Sequence, residues 1–278
     1  MASSPTFSLQ RGASPLLVSM PHIGTEIPPD LKAAFNPRAL FVEDADWHLA
    51  QLYNFLPELG ASVLVPRFAR YVIDLNRPPD DAPMYPGASN TELCPTRFFT
   101  GDALYQPGQA PDATQRAARR ATYWLPYHSA LADELERIKL QHGYALLWDA
   151  HSIRSRIPWL FEGRLPDLNI GTANGASAHA AISNAMVDAV ATGSKPASAL
   201  EPGISHVLNG RFKGGYITRR YGAPQDRVHA VQLEKCQSLY MQEEAPFAYD
   251  AVKAASIQPL LKNMVVQALL ACGRLYAG

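Results

Sequence analysis

Two histidines each follow a short apolar run. His22 lies in Ser19-Met20-Pro21-His22-Ile23-Gly24-Thr25-Glu26, and His151 lies in Trp148-Asp149-Ala150-His151-Ser152. An imidazole at the carboxyl end of a strand can ligate a metal or exchange protons. It can equally be a turn histidine that satisfies loop carbonyls. Asp149 is two residues before His151, so along a strand the two side chains share a face, where the carboxylate can orient the ring. Asp46, in Glu43-Asp44-Ala45-Asp46-Trp47-His48, can complete a two-histidine, one-carboxylate set. Such sets leave a coordination position open for water and suit catalytic zinc, with iron, cobalt and manganese as alternatives. The competing account of this acidic run is that Asp44 complements the dipole at a helix start. Glu26, four residues after His22, competes with Asp46 for the third position. His48 reads as a surface or core residue.

Glu234 closes Gln232-Leu233-Glu234 after another apolar run. A carboxylate there is costly to bury alone. Beside an activated water it can act as general base; otherwise it pairs with a nearby Arg or Lys. Basic and amide groups cluster in Arg70-Tyr71-Val72-Ile73-Asp74-Leu75-Asn76-Arg77 and in Asn209-Gly210-Arg211-Phe212-Lys213-Gly214-Gly215-Tyr216-Ile217-Thr218-Arg219. Arginine grips carboxylates bidentately, as a dicarboxylate substrate requires, and Gly214-Gly215 permits close backbone approach. His128 is four residues after Trp124 and three before Leu131, the spacing of a core histidine on an apolar helix face. A role beside the reacting centre is its other reading. H-E-x-x-H, G-x-S-x-G, the phosphate loop and the dinucleotide G-x-G-x-x-G are all absent.

These residues need elements to position them. Apolar runs at 15–19, 61–65, 144–148, 206–208 and 228–233, and an alternating run at 71–75, read as strands. Helical spacing appears from Ala45 to Leu56, stopping near Gly60, and from about 112 to 141, where Pro126 kinks or splits the helix. Residues 178–190 and 249–276 complete the set. Strands alternating with helices imply a single α/β domain over residues 1–278, with ligands at the carboxyl ends of a largely parallel sheet. The long loops 76–108 and 153–175 are rich in Pro, Gly and polar residues and are expected to be functional.

The 278 residues are 47% hydrophobic, enough for a sizeable core, and Lys+Arg and Asp+Glu both number 25. That balance gives no reason to expect nucleic acid or an anionic membrane as partner. Cys94, Cys236 and Cys272 are odd in number and far apart, which reads as free thiols in a reducing compartment. There is no signal-peptide pattern and no apolar run near the roughly 20 residues a bilayer span needs, so a cytoplasmic protein is expected. No coiled-coil pattern marks a scaffolding role.

Taken in order, Val18-Ser19-Met20-Pro21-His22-Ile23-Gly24-Thr25-Glu26-Ile27-Pro28, Asp44-Ala45-Asp46-Trp47, Arg70 through Pro79, Tyr123 through His128, Asp149 through Arg154, Phe161 through Thr172 and Asn209 through Thr218 resemble the N-formylglutamate deformylase (N-formylglutamate amidohydrolase) family across nearly the whole chain. The resemblance implies a mixed, mostly parallel sheet flanked by helices, similar to the zinc carboxypeptidases. It implies metal-dependent hydrolysis of N-formyl-L-glutamate to formate and L-glutamate, in histidine degradation. It makes His22, Asp46 and His151 the metal ligands. The carboxypeptidase pattern, with an acidic residue close behind the first histidine, keeps Glu26 as the alternative. Glu234 becomes the general base, with Arg154 or His128 at the oxyanion. Arg70, Asn76, Arg77, Arg154 and Arg219 become candidates for the substrate carboxylates, with Asn209, Lys213 and Gly215 beside them. Two other readings stand next to this one: the same hydrolase acting on another N-acyl amino acid or a cell-wall amide, and a metal-free binding protein for acidic metabolites.

Overall fold

The computed structural model describes residues 5–84, 90–193 and 203–277. The apolar runs form the middle of a sheet of seven strands among these residues: β1 (Phe7–Gln10), β2 (Leu16–Ser19), β3 (Ser62–Pro66), β4 (Ala145–Ile153), β5 (Leu168–Gly171), β6 (His206–Leu208) and β7 (Val228–Cys236). Their order is β1-β3-β2-β4-β7-β5-β6. The pairs β2–β3, β2–β4, β4–β7 and β5–β6 are parallel, whereas β1–β3 and β5–β7 are antiparallel. This is the mixed, mostly parallel sheet expected.

Strands β2, β4 and β7 are buried along their whole lengths. Covered on both faces, they need apolar residues at consecutive positions, and this made them legible as unbroken runs. Helices α5 (Ala180–Gly193) and α7 (Ala251–Arg274) cover one face, packing Ile182, Met186, Leu261 and Met264 against Leu146, Trp148 and Val231. Helix α4 (Leu125–His142) covers the other, where Tyr127, Leu131 and Ile138 meet Leu17, Leu147 and Ala230. It is preceded by α3 (Ala113–Arg119), which opens on a reciprocal Asp112–Gln115 capping box. The kink or split expected at Pro126 takes the form of a π-helical turn over Arg120–Trp124 that joins the two helices. A π-turn is a natural accommodation of a proline's missing N–H. Short helices at Pro29–Lys32 (α1), Leu49–Leu52 (α2) and Tyr216–Tyr221 (α6) complete the set.

Three expectations are corrected. The 71–75 run is not a strand: Tyr71, Val72, Ile73 and Leu75 are buried, but in irregular backbone. The Ala45–Leu56 helix shrinks to α2 and a 3-10 turn at Leu56–Leu59, because His48 takes a left-handed conformation (φ 62°) that ends any helix begun earlier. Asp44 and Asp46 therefore lie in irregular backbone, not at a helix start. Strands β4 and β7 also run on to Ile153 and Cys236, so His151 and Glu234 lie within strands and not at their ends.

That extension builds the site. In the β4–β7 register, Asp149 is opposite Gln232 and His151 is opposite Glu234. Alternate residues share a face. The face that begins with Ala145, Leu147, Val228 and Ala230 in one apolar core thus becomes polar for two layers, Asp149 with Gln232 and His151 with Glu234, before it closes on apolar Ile153 and Cys236.

Candidate active site

His22 stands just beyond β2, and the backbone N–H of Asp46 donates to its carbonyl at 3.0 Å. That bond ties the irregular 43–47 segment to the sheet. The His22 Nε2 atom lies 2.7 Å from Asp74 Oδ1, leaving Nδ1 turned toward Asp46 Oδ2 at 3.7 Å. His151 presents its Nδ1 to the same Asp46 oxygen at 3.2 Å. Its Nε2 is 3.1 Å from Asp149 Oδ2 and 3.1 Å from the Asn76 amide nitrogen. One potential ligand atom from each of His22, Asp46 and His151 falls within 4.8 Å of the others, and all three residues are buried. His22 Nδ1 and Asp46 Oδ2 have no hydrogen-bond partner. Orphaned buried polar atoms are expensive, and two imidazole nitrogens with a carboxylate oxygen are a donor set that could hold a cation. Each ring is oriented from behind by a carboxylate, the arrangement that fixes metal-ligating imidazoles.

The electrostatics agree. Burial opposes a charge on His151, yet Asp149 and Asp46 outweigh it and raise its pKa to about 10. Burial likewise pushes Asp46 up, but His151 and His22 hold it well below the usual carboxylate range. The space between these carboxylates favours positive charge.

Glu234 faces this group. Burial raises its pKa to about 7, and its Oε1 has no hydrogen-bond partner. Lys235 points to the other face, donating to the His151 carbonyl at 2.7 Å with its Nζ 4.8 Å from the centre of the Tyr53 ring. Burial lowers its pKa to about 7.

A cleft opens above these groups. Its walls include Arg70, Asn76, Arg77, Thr91, Phe99, Leu160, Arg211, Phe212 and Gly215. Arg70 donates to Asp74 Oδ2 at 2.6 Å and lies over the Phe99 ring. Asn76 accepts from Ile217 N at 2.8 Å while touching His151. Gly215 donates to Gln232 at 2.7 Å, and a Cβ on it would come within 2.3 Å of the Asn76 amide. Only glycine leaves room here for the Asn76 side chain. Arg77 donates to Thr91 O at 2.9 Å, Thr91 Oγ1 at 2.5 Å and Asn76 O at 2.9 Å.

Other expected site residues lie outside the cleft lining. Arg154 is held at 2.7 Å by Asp44, whose other oxygen accepts from Tyr71 and from the backbone of Phe99, both at 2.9 Å. His128 stacks on Trp124 and sits 2.9 Å from both Leu75 O and Tyr221 Oη: it is a satisfied core histidine. Arg219 donates back to Gly214 O. Asn209 and Lys213 brace the neighbouring loop through Thr172 and Ala173. Glu26 is exposed and paired with Arg67 at 2.8 Å, so it is not near the His22–Asp46–His151 group.

Sequence reading assigned no role to Asp74, Arg211, Phe99 or Thr91. Asp74 and Arg211 sit inside the motifs that drew attention, but neither carries a signal for where its side chain points.

The family model for N-formylglutamate amidohydrolase matches residues 14–241. Curated N-formylglutamate deformylases from Pseudomonas aeruginosa and Pseudomonas putida are 51% and 48% identical to this chain, over 96% of it and 97% and 96% of their own lengths. The crystal structure of N-formylglutamate amidohydrolase from Ralstonia eutropha JMP134 is similar with a TM-score of 0.77, covering 96% of this chain and 97% of that one at 22% identity. It speaks for the fold alone. With the family model and near-full-length relatives in agreement, the chain belongs to the N-formylglutamate amidohydrolase family.

Proposed function

We propose that this chain hydrolyses N-formyl-L-glutamate to formate and L-glutamate, using a divalent metal ion held by His22, Asp46 and His151. The observation that carries the reading is the convergence of buried, partnerless His22 Nδ1 and Asp46 Oδ2 on His151, opposite the partnerless Oε1 of Glu234. Two nitrogens and a carboxylate suit zinc, and iron, cobalt and manganese share the preference. Such an ion supplies acidification of water and polarisation of the formyl carbonyl.

The chain's own residues do the rest. Glu234 takes a proton from the attacking water as its oxygen bonds to the formyl carbon. It then delivers that proton to the glutamate nitrogen as the C–N bond breaks. Asp74 and Asp149 hold the two imidazoles in register. Arg77 faces the substrate's carboxylates. Arg154 and His128, set outside the cleft, take part in no step. The place of this reaction in histidine degradation, and in the cytoplasm, rests on family membership and on three cysteines that are all free and buried.

Formate release from N-formyl-L-glutamate by purified protein, before and after chelation and zinc add-back, is the test. Metal-dependent release supports the proposal. No release with metal bound discards the substrate, and a panel of other N-acyl amino acids follows.

A further inference from the structure

The cleft has a polar part and an apolar part, and the strand register separates them. At the layer where His151 faces Glu234 its floor is polar. One layer on, about 7 Å along the strands, the same face carries Ile153 opposite Cys236. Ile153 lines the cleft as well, together with Phe99, Leu160 and Phe212. All four belong to one small core. Phe99 and Ile153 are buried in it with Cys236, and Leu160 and Phe212 lie partly buried against it.

This apolar end is held in place by its backbone. The segment that carries Leu160 closes on itself, Leu165 N donating to Ser155 O at 2.9 Å. Glu243 accepts from both the N–H and the hydroxyl of Ser155, each at 2.7 Å. The segment that carries Phe212 is pinned by Asn209 on Thr172 and by Ala173 N donating to Lys213 O at 2.6 Å. Two contacts join the segments. Arg211 donates to the Leu160 carbonyl at 3.3 Å, and the Phe161 and Phe212 rings meet edge to face with their centres 6.3 Å apart. Phe99 arrives from a third segment, its N–H held by Asp44.

We infer that Leu160 and Phe212 form an end wall that measures the side chain of the substrate. The reacting amide sits in the polar layer between Glu234 and the His22–Asp46–His151 group. The two methylenes of glutamate run out over Ile153, and a chain one methylene longer meets Leu160 and Phe212. This rests on the deformylase reading above. Apolar walls suit methylenes, and one methylene more or less in such a pocket is typically worth about 10- to 200-fold in kcat/KM. Both residues are specificity determinants, remote from the bond that breaks.

The test compares kcat/KM for N-formyl-L-glutamate, its shorter homologue N-formyl-L-aspartate and its longer homologue N-formyl-L-2-aminoadipate. The proteins are the wild type, Leu160→Ala and Phe212→Ala, each with its metal content and unfolding midpoint measured. The wild type is expected to prefer glutamate over both homologues by at least about tenfold. In either alanine variant kcat/KM for the 2-aminoadipate substrate rises by about tenfold, through KM, while that for glutamate falls. A gain on the longer substrate is a result that loosened folding alone does not produce. Leu160→Val, a smaller truncation that keeps the core nearly filled, shifts the preference in the same direction by less. If the variants keep the wild-type ratios, or lower all three substrates alike, Leu160 and Phe212 do not measure the side chain and the inference is overturned while the deformylase reading stands. If the metal-loaded wild type releases formate from none of the three, the deformylase reading falls and takes this inference with it.

Discussion

Replacing Glu234 by Gln isolates the proposed base from everything around it. The two side chains have the same shape, so packing is preserved and the carboxylate alone is lost. Glu234 is not among the three residues that gather as a metal site, and its Oε1 anchors no other group. The variant should therefore fold and bind metal as the parent does. A positioned general base contributes about 100- to 10,000-fold, which corresponds to about 3 to 5 kcal/mol of barrier. We expect kcat in N-formyl-L-glutamate hydrolysis to fall within that range, with KM little changed. The pH profile supplies an independent readout. Burial sets the Glu234 carboxyl near 7, and a bound cation beside it lowers that value. Because the base works deprotonated, kcat/KM should rise with pH along an acid limb whose apparent pKa lies between the ordinary carboxyl value of about 4.3 and about 7. Glu234→Gln should lose that limb together with the rate. Full turnover by a metal-loaded Gln variant, or an acid limb that survives the substitution, refutes the assignment.

Other perturbations follow from the same geometry. Asp46→Asn should cost metal, read as metal content after dialysis, and activity with it, whereas Glu26→Gln removes only an exposed pair with Arg67 and should leave both stability and metal content unchanged within error. Gly215→Ala places a Cβ 2.3 Å from the Asn76 amide, so Asn76 must leave His151 or the backbone must move. We expect a loss of about 1–3 kcal/mol in denaturant unfolding and a disproportionate fall in kcat. His128 answers to pH. Burial lowers its pKa to about 4 from an ordinary value of about 6.5, so below about 6.5 the unfolded chain binds a proton that the folded one refuses. Stability should fall as pH drops from about 6.5 toward about 4, by up to about 3 kcal/mol from this residue. His128→Gln should reduce that slope in urea titrations, leaving the share of His229, also buried and with its pKa lowered by burial to about 4.

What the sequence disclosed follows from which forces act locally. The central strands were legible because burial on both faces demands apolar residues at every position, and β2, β4 and β7 satisfy that demand over their apolar lengths. The same rule hid their ends. Once the strands carry Asp149, His151, Gln232 and Glu234, the apolar signal breaks while the hydrogen-bond ladder continues to Ile153 and Cys236. Strand β5 and helix α6, four and six residues long, are too short to show a period. The 71–75 run misled in the opposite direction. Its alternation reflects burial against two clusters in irregular backbone, and the one polar residue it carries, Asp74, is the carboxylate that holds His22 and Arg70 together.

The arginines mark where residue-level reading stops, and the reason is physical. A guanidinium is directed by whichever carboxylate lies within reach, and that partner is usually distant in sequence. Arg154 follows β4 directly, yet Asp44, 110 residues away, turns it from the cleft and at the same time pins the backbone of Phe99 at its rim. Arg70 is claimed by Asp74 only four residues on, a pairing invisible while that segment is taken for a strand, in which alternate residues share a face but bond none of their own side chains. The buried acids around this site thus do two kinds of work. Asp46 and Glu234 face the cleft, while Asp44, Asp74 and Asp149 hold Arg154, Arg70 and the two imidazoles in place around it. Removing Asp44 should accordingly release Arg154 and Phe99 together, disturbing substrate binding from a position that touches no substrate.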